Sequence, residues 1–89
     1  MQEQFNPCLW SAFRGLSEEE EKLFDSVMGH VMSPVMSLKP VLVSVRETNG
    51  TEYRFMCDTK RPGRDLYKSM VSISVPFQGS PMCTGIGEA

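Results

Sequence analysis

The chain has 89 residues, 40% of them hydrophobic and 22% charged, with a formal net charge of −2. That is the size of one small domain, too apolar for a disordered tail, and no run approaches the roughly 18–20 apolar residues of a membrane span. The slight acidity leaves no concentrated cationic surface, so neither nucleic acid nor an anionic membrane is expected as a partner.

Residues 1–16 read as an extended, partly apolar arm that carries Phe5, Leu9, Trp10 and Phe13 and is interrupted by Pro7. Ser17-Glu18-Glu19-Glu20 is a capping box, and its acidic first turn complements the positive end of a helix dipole. Leu23, Phe24, Val27, Met28 and Val31 recur at three- to four-residue spacing and predict a helix with one apolar stripe. Gly29 weakens its last turn and Pro34 forbids continuation, so the expected end lies near Val31–Met32.

After a connector over Met32–Pro40 the period changes to two. Val41, Val43 and Val45 alternate with Leu42 and Ser44, and Tyr53, Phe55 and Cys57 alternate with Arg54 and Met56. Asn49-Gly50 between them is a hairpin signal, because both central residues of a type I′ turn take positive φ. A second reversal at Lys60–Arg64 is set by Pro62 and Gly63. Leu66–Val75 then reads as a strand with Tyr67, Val71, Ile73 and Val75 on one face. Pro76–Pro81 breaks it, and Met82–Ile86 forms a short last strand. The expected fold is α+β: a single domain over residues 17–89 in which one helix packs across a four- to five-stranded antiparallel sheet. In such a meander the Asn49-Gly50 hairpin and the Pro76–Pro81 loop share one end. A helix antiparallel to the first strand brings Gly15 to that end as well.

Catalytic and metal chemistry find little material. Nucleophilic catalysis by cysteine needs a histidine in reach, and the single histidine, His30, falls at the helix end. Cys8, Cys57 and Cys83 have no metal-ligand spacing, the Glu18–Glu21 run is a helix start, and no glycine-rich loop joins a strand to a helix. No catalytic residue, metal site or cofactor is therefore expected. Lys60, Arg61 and Arg64 read as an exposed basic turn rather than a nucleic-acid site. The odd cysteine count, and a start without a basic and apolar leader, point to a reducing, cytoplasmic setting. Cys57 and Cys83 are then small buried hydrophobes, with a bridge between them as the alternative.

Gly15-Leu16-Ser17-Glu18, a single helix, the segment Val43–Tyr53, then Ser74–Gly79 and Cys83-Thr84-Gly85 resemble the cystatin superfamily, in particular its stefin branch, which lacks a signal peptide and disulfides. The resemblance covers most of the chain from Gly15 onward. It implies a reversible, tight-binding inhibitor of papain-like cysteine proteases, in which an N-terminal glycine and two hairpins form a wedge that fills the active-site cleft. On that likeness Gly15 is the N-terminal glycine, Arg46, Glu47, Thr48, Asn49 and Gly50 form the first hairpin, and Pro76 with Phe77 forms the second. Arg46 stands where the family has glutamine and Thr48 where it has valine. A buried Arg46 therefore needs a carboxylate from the target. Leu9, Trp10 and Phe13 could add apolar anchors, and bulk at Gly50 is expected to block docking while leaving the fold nearly intact. The alternative is a non-inhibitory interaction module of the same shape. A monomer is expected, with a strand-exchanged dimer as the variant that a hinge at the first hairpin would allow.

Overall fold

The structure, a computed structural model, describes residues 9–29 and 36–89. Among these residues one helix, α1 (Glu18–Met28), precedes four strands: β1 (Ser37–Thr48), β2 (Gly50–Lys60), β3 (Tyr67–Pro76) and β4 (Met82–Glu88). The strands pair antiparallel in sequence order, giving the helix-on-meander α+β fold. No helix among the described residues is long and apolar enough to cross a membrane.

The capping box closes in both directions. Ser17 Oγ accepts from the Glu20 N–H at 3.2 Å, and the Glu20 carboxylate accepts from the Ser17 N–H at 2.9 Å. Arg14 adds a fork onto the same carboxylate at 2.8 and 2.7 Å, which ties the arm to the first turn. The helix stops at Met28, with Gly29 as its C-cap donating to the Asp25 carbonyl. That is a few residues earlier than the apolar spacing predicts, since glycine is a poor helix former. Val31, Met32 and His30 lie outside the described residues.

Phe24 and Met28 are fully buried against the sheet. Phe24 meets Phe55 of the inner strand β2 edge to face at 5.1 Å, and Phe55 is flanked in register by Val43 of β1 and Val71 of β3. Cys57, Ile73 and Leu38 complete this core. Glu20 lies near enough to Tyr53 to help raise its phenol pKa, behind burial as the main cause. The helix therefore starts beside Tyr53, crosses Phe55 and runs antiparallel to β1, as expected.

β1 differs from its sequence reading in two ways. It begins at Ser37, inside the expected connector, and its register slips between Pro40 and Leu42. The extra residue resets the alternation, so that Leu38 and Val43, which a regular strand would turn to opposite faces, are both buried in the core. Val41 accordingly does not continue the face of Val43 and Val45. A slip in register leaves no signature in a run of valines.

The arm is an edge strand in miniature. Arg14 and Val43 exchange two backbone hydrogen bonds at 3.0 and 2.8 Å, and Ser11 donates from its N–H to the Val45 carbonyl at 2.9 Å. Ser44 is fully buried on the face away from the helix because its hydroxyl donates to the Ser11 carbonyl at 2.6 Å. Trp10 then folds over that outer face. Its ring centroid is 4.6 Å from the Arg46 guanidinium carbon and 4.1 Å from that of Arg54, and Phe13 closes on Arg54 at 5.6 Å. The buried Nε of Arg54 has no hydrogen-bond partner among the described residues, and the faces of Trp10 and Phe13 lie against this guanidinium.

The Arg14 fork holds the Glu20 carboxyl at about 2, well below its ordinary 4.5. A carboxylate depressed on folding contributes stability above its unfolded pKa and loses it as pH falls through the folded one. Denaturation midpoints should therefore fall between about pH 4.5 and 2 more steeply in the parent than in Glu20→Gln, whose curve lies lower at neutral pH. Parallel curves for the two proteins would disprove the linkage.

Candidate functional site

Two of the three segments expected at one edge meet there. Thr48 pairs with Gly50 across Asn49, and Gly50 pairs on its other side with Pro76, so the first hairpin lies directly against the end of β3. The turn is not type I′. Among the described residues only glycines have positive φ, and in this turn Gly50 alone takes it, at φ 125. Gly50 is buried, not a protruding tip. A Cβ there would stand 2.4 Å from the Val75 carbonyl oxygen, 2.8 Å from Pro76 Cα and 3.2 Å from the Phe77 N. The missing side chain is what lets the hairpins lie side by side. Bulk at Gly50 thus breaks the fold before it tests docking, which corrects the expectation that such a variant stays nearly intact.

Exposed residues form the rim of this edge: Glu47, Thr48 and Asn49 from the first hairpin and Phe77 from the second. Phe77 is 82% exposed, an aromatic ring held in water by the loop that follows Pro76. Half-buried Pro76 backs it, with Gly79 at φ 103 turning the chain beneath.

Gly15 does not belong to this edge. Its neighbour Arg14 pairs with Val43, five residues short of Thr48, which at ~3.3 Å per residue sets it back roughly 17 Å. It is exposed, and an added Cβ would meet nothing within 4 Å. The arm runs antiparallel to β1, so the residues before Gly15 are those that approach the hairpins. From Ser11 opposite Val45 and Trp10 over Arg46, the chain carries Leu9, 65% exposed, toward the Glu47–Thr48 end. The signal for this was the apolar Leu9-Trp10 pair, and the position of Gly15 concealed it.

Arg46 is also set back. It lies on the outer face under Trp10 and pairs with Glu52, its cross-strand partner on β2, at 2.7 Å. The carboxylate that its burial demands comes from within the molecule. Arg46, Glu52 and Trp10, with Ser72, Ser74 and Thr84, line a shallow polar concavity of about 320 Å³ on that face.

Both described cysteines are free. Cys57 pairs in register with Ser69, whereas Cys83 pairs with Ile73, so the two thiols are offset by four residues and lie two strands apart. The alternative of a Cys57–Cys83 bridge is not realised. Burial, with Asp58 beside it, pushes the Cys57 thiol up to about 12, which leaves it protonated and unreactive. His30 lies outside the described residues, as does Cys8. Among the described residues no group of three or more histidine, cysteine, aspartate or glutamate side chains could hold a metal. No protein-family model matches the chain, and no curated protein matches it in sequence.

Two outcomes follow from this geometry. Gly50→Ala should lower stability by more than about 2 kcal/mol, through strain and the clash at Val75, while Gly15→Ala changes it by less than about 0.5 kcal/mol. Urea unfolding of the two variants compares them. Alkylation of the native protein at pH 8 should modify Cys83 and spare Cys57 until the chain unfolds, as peptide mass mapping will report.

Proposed function

We propose that the protein is a reversible inhibitor of papain-like cysteine proteases that plugs the target's cleft with its two-hairpin edge. The observation that carries this reading is Phe77, exposed at the rim beside a first hairpin that Gly50 lets pack against Pro76. An apolar side chain so exposed, on a loop backed by a tightly paired sheet, suits a contact whose affinity comes from burial at little cost in ordering. The first hairpin loses little entropy on docking, because a single residue, Asn49, spans paired neighbours.

On this reading Phe77 and Leu9 are the apolar anchors on either side of the first hairpin, and Glu47, Thr48 and Asn49 line the middle. Gly50 and Pro76 act from behind by holding the hairpins together. Arg46 stays with Glu52 and acts through the sheet's outer face, and Gly15 takes no part in the contact. Inhibition needs no covalent step: the plug occupies the space over the thiolate and presents no peptide bond in line for attack. The resemblance to stefins and the free thiols Cys57 and Cys83 both support action in a reducing, cytoplasmic compartment.

Titrating papain with the purified protein and following residual peptide hydrolysis tests the proposal. Hydrolysis should fall reversibly at micromolar inhibitor, Phe77→Ala should weaken inhibition by about tenfold or more, and Gly15→Ala should leave it unchanged. Full hydrolysis at every inhibitor concentration would favour the interaction module without inhibitory activity.

A further inference from the structure

The two edges of the sheet are treated differently. The outer edge of β1 is closed: the arm pairs with Val43 and Val45, Pro40 has no N–H to offer, Lys39 adds a charge, and the slip after Pro40 bends the strand. β4 has little of this. It carries no proline or lysine, six of its seven residues are exposed, and Met82 and Ile86 place apolar side chains on it at 55% and 44% exposure. Its one charge, Glu88, is already paired with Arg64 at 2.6 Å. A register slip opposite Ser72/Ile73 leaves Thr84 without a partner, and the strand runs regularly from Gly85 onward.

We propose that this last segment docks a second copy of the same chain, β4 against β4, into a continuous eight-stranded antiparallel sheet. The phase of the strand supports it. Ala89 donates its N–H to the Lys68 carbonyl at 3.0 Å, so residues 85, 87 and 89 turn their backbone groups toward β3, and Ile86 and Glu88 turn theirs outward. A two-fold axis at Ile86 lets its N–H and carbonyl exchange hydrogen bonds with the second copy's Ile86 and sets the two side chains together. Gly85 then faces Gly87 of the second copy, and an added Cβ at either glycine meets nothing within 4 Å, so no side chain obstructs the approach. Glu88 falls opposite Thr84, which keeps the two carboxylates apart. Self-pairing is favoured over an open array because the arm closes the other edge. Among the described residues each chain then has one free edge, and assembly stops at two. The segment is short, so the dimer is weak and forms with rising concentration. Antiparallel docking points the two hairpin edges toward opposite ends, where neither blocks the other.

Sedimentation velocity from micromolar to near-millimolar protein tests this. The weight-average mass should climb toward twice the monomer in the parent and stay at the monomer in Ile86→Lys, with the helix and sheet signal in circular dichroism unchanged. Amide exchange gives a readout that needs no variant: the Ile86 and Glu88 amides should gain protection at high concentration, while the Asn49 amide does not. A parent that remains monomeric throughout overturns the proposal and leaves β4 to an extended segment of another protein. A dimer that persists in Ile86→Lys overturns it in favour of strand exchange through the first hairpin. Papain inhibition by Ile86→Lys at micromolar concentration should equal the parent's, so the two proposals stand or fall separately.

Discussion

Val43, Phe55, Val71 and Ile86 form one row across all four strands, and Phe24 of the helix lies on Phe55 at its centre. Removing that aromatic pair would leave the helix held to the sheet mainly by Met28 and the half-buried Leu23 and Val27. The described residues bury eight apolar side chains, a small core, so each contact is a large share of a stability that amounts to only a few kcal/mol in a chain this size. The row also fixes the register, since a slip by one residue would turn Phe55 to the outer face. Because register decides what pairs with Gly50, the hairpin edge inherits its shape from a contact several residues away.

The outer face completes the fold by a different route. A four-stranded sheet with one helix leaves its second face to water, and here the arm covers part of it. Ser11 and Arg14 tie the backbone of the arm to β1, and Trp10 lays its ring on Arg46 and Arg54. Stacking suits arginine because its planar guanidinium is weakly hydrated and loses little when one face is covered. The same arm closes one sheet edge and carries Leu9 toward the hairpins, so a single extended segment affects stability, assembly and the candidate contact together.

Much of this was legible in the residues. The capping box at Ser17 and Glu20, the stripe through Phe24 and Met28, and the alternation through Phe55 and Cys57 each depend on neighbours within a few positions, and each appears in the structure. The hairpins at Asn49-Gly50 and Pro62-Gly63 were marked by their turn residues. Less legible were features set by partners distant in the chain. The bulge after Pro40 is invisible among similar valines, and Gly50 reads as an exposed tip until Val75 is placed 2.4 Å from its absent Cβ. Gly15 looked like part of the edge because of its place before the helix, yet the pairing of Arg14 with Val43 sets it back along the sheet.

By itself, then, the order of residues determined one helix, four strands, their antiparallel succession and the nearness of two loops, because local spacing and turn chemistry carry that information. Tertiary structure decided which residues of those loops face outward, which partner neutralises Arg46, and which end of the arm approaches the hairpins. Those outcomes depend on register and on contacts between segments far apart in sequence, where a shift of one position exchanges the inside for the outside.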